Sequence, residues 1–266
     1  MTSLTLTIPR NASMIENLRR ASPLLWWTSL AFLVLFAACM LLAMLDPRLF
    51  NGISTWVKPA KFFLSLGLHM LTLSFGLTLL PERIRTTWPT LLITGTMASM
   101  AILEMVYISF RAALGQASHF NTSSELAGLL YSLMGMGAAL MMVVTLFLGV
   151  RIIRHGSATL MARTTGWSFI AAAILTLIVG FTLGAMGSHW IGGDQSDATG
   201  LPILGWSTSG GDLRAAHFAG LHIMQVLPFA ALAGSRPAVR SAGLVMLLAT
   251  LTAYILALNG IPLIRL

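Results

Sequence analysis

Hydrophobic positions run through this chain in long, nearly unbroken blocks, with the polar residues gathered between them. A helix needs about 20 largely apolar residues to cross a bilayer core. Seven blocks reach that length, at 24–45, 59–80, 88–112, 125–150, 166–187, 213–234 and 238–258. Pro23, Pro59, Pro89 and Pro237 stand near block starts, where a missing N–H costs nothing. Pro228 lies inside the sixth block and predicts a kink there. All seven tryptophans (Trp26, Trp27, Trp56, Trp88, Trp167, Trp190 and Trp206) fall at or near block ends, the depth that indole prefers. The Phe36-Ala37-Ala38-Cys39 stretch echoes a lipoprotein cleavage site, but the apolar run continues to Leu45, so the first block is expected to remain a span.

Composition agrees. Hydrophobic residues make up 56% of the 266 positions, charged residues only 9%, and the mean hydropathy is +0.84. A soluble domain carries about 25% charged residues, so this chain cannot cover a water-facing surface. Disordered, collagen-like and coiled-coil classes are excluded with it. The net charge of +8 reads as membrane topology, and no nucleic-acid partner is expected. One cysteine, Cys39, leaves no intrachain disulfide and no cysteine metal cluster.

The predicted fold is all-α: a polytopic bundle of seven transmembrane helices over residues 23–266, preceded by a segment, 1–22. Arg10, Arg19, Arg20, Arg83, Arg85, Arg151, Arg154, Arg163, Arg236 and Arg240 fall on one side. Arg48, Lys58, Lys61, Arg111, Arg214 and Arg265 fall on the other. The ten-to-six bias predicts a cytoplasmic N-terminus and an outside C-terminus in a bacterial-type inner membrane. That is the reverse of the rhodopsin orientation, and the last span lacks a lysine for a retinal Schiff base.

The minority cations draw attention to the outer half. Lys58, Lys61, Ser65, His69 and Thr72 recur at intervals of three and four along the second span, and Glu104, Tyr107 and Arg111 do so along the third. Arg214, His217, His222 and Gln225 share a broad arc of the sixth, and Tyr131 on the fourth faces the same interior. His217 and His222, five apart, point about 140° from each other and do not pair on one ion. The outer loops add His119, Asn121, Glu125, His189 and Asp212. At 1.5 Å per residue, His69, His222 and Glu104 lie roughly 15, 14 and 12 Å below the outer surface, with the cations and His217 above them. Ionisable groups at that depth cost about 2.5–3.5 kcal/mol each and normally face a partner, a cavity or a cofactor.

Three readings follow. In the first, His69 and His222 are axial ligands of a b-type haem. Lys58, Lys61, Arg111, Arg214 and His217 then meet its propionates, and Gly67 and Gly220 give it room. Glu104, Tyr107 and Gln225 would relay protons or bind a quinol in electron exchange with a redox partner on the outer side. In the second, His69, Glu104 and His222 form a His₂-carboxylate site for a zinc or iron ion in an intramembrane enzyme. There is no HExxH or GxSxG sequence to support it. In the third, the cations bind an anionic ligand directly, in a transporter or sensor. Gly180 and Gly184, in a small-xxx-small pattern, are expected to mark close helix packing in the fifth span.

Overall fold

A computed structural model describes residues 13–265; Arg10 and the rest of 1–12, and Leu266, lie outside the described residues. Seven of the described helices are long and apolar enough to cross a membrane, and the chain is an integral membrane protein. They are α2 (Pro23–Leu45), α3 (Val57–Thr78), α5 (Trp88–Ala113), α6 (Glu125–His155), α7 (Leu160–Met186), α8 (Leu213–Leu232) and α9 (Arg236–Leu258). Two short helices join them, α1 (Met14–Ala21) and α4 (Glu82–Arg85). Hydroxyl caps start several: Ser22, Ser124, Thr159 and Ser235 each accept a backbone N–H in the first turn. α8 runs through Pro228 as a single helix, so the proline does not divide it.

Helix α3 is central. It packs closely on α2 and also meets α5 and α6, while α6, α7, α8 and α9 follow in order, each against the next. The main core joins Met70, Leu73 and Leu77 of α3 to Met97 and Met105 of α5, Leu148 of α6 and Phe169 of α7. A smaller one joins Val179, Ala216, Ala253 and Ala257 across α7, α8 and α9.

The bundle has two unlike ends. At the α1 end, α6 and α7 touch backbone to backbone: a Cβ on Gly149 would stand 2.6 Å from the Gly166 carbonyl oxygen. Gly180 and Gly184 correct the sequence expectation, because a Cβ on either meets nothing within 4 Å. At the opposite, loop-rich end, two small antiparallel ladders form. β1 (Leu49–Phe50) pairs with β2 (Ile53–Ser54), and β3 (Trp190–Ile191) pairs with β4 (Gly211–Asp212). The first is closed by Asn51 and Gly52, both with positive φ, the dipeptide that a tight hairpin favours. Asn51 in turn receives the backbone N–H of Asp197, which ties the 187–212 loop to the hairpin.

Candidate functional site

The loop-rich end gathers the cations that the sequence singled out, and most of them are already engaged. Arg214 makes ion pairs with Asp197 and Asp212 at 2.6 and 2.7 Å, donates to the Gly205 carbonyl at 2.6 Å and lies over the Trp190 ring. Asp212 also caps α8 and accepts the Ser207 N–H. Lys61 donates to the Leu204 carbonyl at 3.0 Å, and Arg111 to the Ala117 carbonyl at 3.0 Å. Asn121 shares that Ala117 carbonyl and bends the same loop through Ser123. Glu125 is exposed in the first turn of α6. These groups hold loops in place. Arg48 does likewise with Asp46, whose carboxyl the Arg48 and Trp56 hydrogen bonds keep well below the usual range.

Lys58 differs. It stands in the first turn of α3, half-buried, and makes no hydrogen bond and no ion pair within 4.0 Å among the described residues. It lines a narrow cleft of about 20 Å³, room for about one water, with Thr55, Gln116 and Ser118 at the rim. Glu104, Asp197, His119 and His189 lie within reach of its charge.

On the same half of the bundle, potential hydrogen-bond donors are left without partners among the described residues. The Tyr107 hydroxyl, His217 Nδ1, His189 Nε2 and Trp190 Nε1 are enclosed and unbonded, as is one oxygen of Glu104, which is buried at 7% exposure. His119 packs beside Phe62, Phe120 and Tyr131, and His189 beside Phe120 and Trp190. Burial first, then the charges of Lys58, His189 and His217, hold the His119 imidazole well below its usual range. Burial, then Arg214 and Lys58, pushes His189 down to about 2. Both loop histidines are therefore neutral at physiological pH. Phe62, which packs beside His119, carries no polar periodic signal, whereas Phe120 and Asp197 lie in the outer loops with His119 and His189.

The deeper histidines belong to a different seam. His69 Nε2 meets the Thr145 hydroxyl of α6 at 3.1 Å. His222 Nδ1 meets Gln225 Oε1 at 3.2 Å, and Gln225 Nε2 donates to the Thr72 hydroxyl of α3 at 3.1 Å. The two histidines lie within reach of each other's charge, whereas Glu104 sits with Lys58. No three His, Cys, Asp or Glu side chains among the described residues come together to hold an ion, so His69, Glu104 and His222 do not form a His₂-carboxylate set.

His69 uses its Nε2 on α6, and the Gln225–Thr72 bond links α3 to α8 beside His222. Of the small residues expected to admit a haem ring (Ser65, Gly67, Ala219 and Gly220), Gly67 abuts Leu33 of α2, and Gly220 abuts Leu175 of α7 and Thr250 of α9. Compared with family models, with curated proteins and with solved structures, the chain matches none.

Proposed function

We propose that this protein binds a small anion, a carboxylate or an inorganic oxyanion, at Lys58, as a carrier or sensor in a bacterial-type cytoplasmic membrane. With the N-terminus inside, as the ten-to-six distribution of basic residues favours, the Lys58 cleft opens to the outer side. One observation carries the reading: Lys58 is a half-buried ammonium that no side chain or carbonyl among the described residues engages, whereas Lys61, Arg111 and Arg214 are each engaged. Taking a charge out of water is costly unless it is paired. The unbonded Trp190 indole, and the His189 imidazole in the tautomer that carries its proton on Nε2, are donors of the kind that complete an oxyanion's shell. Neutral His119 and His189 leave Lys58 as the principal positive charge in the cleft. Glu104, a buried carboxyl within reach of the Lys58 charge, is suited to receive a proton carried with the anion.

The test is calorimetric titration of the protein in nanodiscs with formate, acetate, phosphate and sulfate. At least one is expected to bind, with affinity lowered by about 30-fold or more in Lys58→Met, a loss of about 2 kcal/mol. No binding of any of the four, or equal binding by the variant, would overturn the reading. Uptake of the bound anion into proteoliposomes then separates carrier from sensor. A reporter fused after Leu266 checks sidedness: activity outside the cytoplasm is expected, and strong cytoplasmic activity would invert the topology.

A further inference from the structure

The second polar feature lies on the membrane side of the bundle, apart from the Lys58 cleft. Helices α3 and α8 run parallel, both starting at the loop-rich end. Their backbones stand apart, and Gln225–Thr72 spans the gap. Lys61 and Arg214 grip the adjacent carbonyls of Leu204 and Gly205, which seats that turn across the top of the seam. Below it Trp206 packs on Phe218 and Phe218 on His222. Leu68 and Phe218, on the two walls, are 41% and 45% exposed, so the seam opens sideways toward lipid. Ser65 lies about 12 Å and His222 about 14 Å from the loop-rich ends of their helices, well inside the hydrocarbon.

Two polar atoms there have no partner and are not enclosed: the Ser65 hydroxyl and His222 Nε2. Thr72, Thr28 and Thr182 return their hydroxyl protons to carbonyls four residues back, and Ser65 does not. A polar group facing hydrocarbon is costly, since lipid offers it nothing to bond.

The tautomer of His222 says what belongs there. Thr72 has one proton and gives it to the Leu68 carbonyl at 2.8 Å, so toward Gln225 it can only accept. Gln225 must then donate through Nε2 and present Oε1 to His222. His222 must therefore donate through Nδ1, which leaves Nε2 a bare lone pair facing the seam. That atom accepts a hydrogen bond and, in this tautomer, cannot give one.

We infer that the α3/α8 seam binds a lipid-soluble molecule whose head group donates a hydrogen bond, a phenol or hydroquinone, with His222 Nε2 as acceptor and Ser65 as second contact. Such a ligand enters from the bilayer, and its aromatic head lies beside Phe218. The site is independent of Lys58.

The experiment measures binding of radiolabelled decylhydroquinone and of its dimethyl ether, which has the same ring but no donor, to the protein in nanodiscs under anaerobic conditions. The hydroquinone is expected to bind at least 10-fold tighter. His222→Phe keeps the ring packing and should erase the preference, while Ser65→Ala, a smaller change, should weaken hydroquinone binding several-fold. Lys58→Met should leave it unchanged. Equal affinity for hydroquinone and ether, or an intact preference in both seam variants, would overturn the inference. So would a dimer in which a second copy fills the seam and no hydroquinone binds.

Discussion

The two ends of the bundle solve opposite problems. At the α1 end, glycine lets helices meet directly: Gly149 against Gly166, and Gly76 beneath the Phe169 ring. One cation there, Arg151, donates to Thr87 and Thr90 at 2.8 and 3.0 Å. At the loop-rich end glycine also admits backbone contact, Gly211 of β4 against Ala257 of α9, but donors are left over. Trp27, Trp88 and Trp167 at the α1 end are exposed, as residues at a lipid interface are, whereas Trp190 and Trp206 at the other end pack on Arg214 and Phe218. Packing holds the first end together; a network of charged staples holds the second open enough to carry unpaired groups.

Substitutions at the staples should hurt most. Asp212→Ala removes the cap of α8, an Arg214 partner and the Ser207 acceptor at once. Breaking a buried pair costs about 3–5 kcal/mol, which thermal unfolding in detergent should show as a large fall in Tm. A shift no larger than that of an exposed substitution would mean that the loop is held by something else.

Acid should act next, and at the same end. His119 and His189 are held below the unfolded value of about 6.5, so each stays neutral in the fold while the unfolded chain takes up its proton. Their neutral forms match the unfolded state above pH 6.5, and stability falls as pH drops below it. The loss approaches about 2 kcal/mol per histidine by pH 5. Tm measured between pH 7 and 5 should drop less in His189→Gln than in the wild type; identical slopes would contradict the burial of His189.

Smaller effects separate the two ends further. Gly149→Ala should cost about 1–3 kcal/mol by forcing α6 from α7, whereas Gly180→Ala should be tolerated. Thr90→Val removes one of two hydroxyls bound to Arg151 and should cost about 1 kcal/mol. Equal shifts for the two glycines would erase the contrast in packing.

The spans were legible because 20-residue apolar runs leave a helix no alternative in lipid. The site was legible in its residues and less so in its grouping. Spacing put Lys58, Lys61, Arg111 and Arg214 near one level, but the partners of the last three include carbonyls of Leu204, Ala117 and Gly205, in loops that no periodicity describes. Equal depth suggested that His69, Glu104 and His222 meet, yet depth fixes height and not direction around the bundle. The Gly180–Gly184 pattern likewise shows that a face is small, not that another helix lies on it. One signal was present and unread: Asn51-Gly52 spells the hairpin that anchors the 187–212 loop.

The separation of staple from site rests on Lys58, unlike Lys61, Arg111 and Arg214, having no partner among the described residues, and Lys58→Met beside Lys61→Met tests it most directly. Both are read by Tm with and without the anion that titration identifies. Lys58→Met should keep or raise the ligand-free Tm, since it removes an unpaired charge, and should lose the rise that the anion gives. Lys61→Met should lower the ligand-free Tm by loosening the Leu204 turn and keep that rise. The reverse pattern, with the anion's effect surviving in Lys58→Met and vanishing in Lys61→Met, would contradict the assignment.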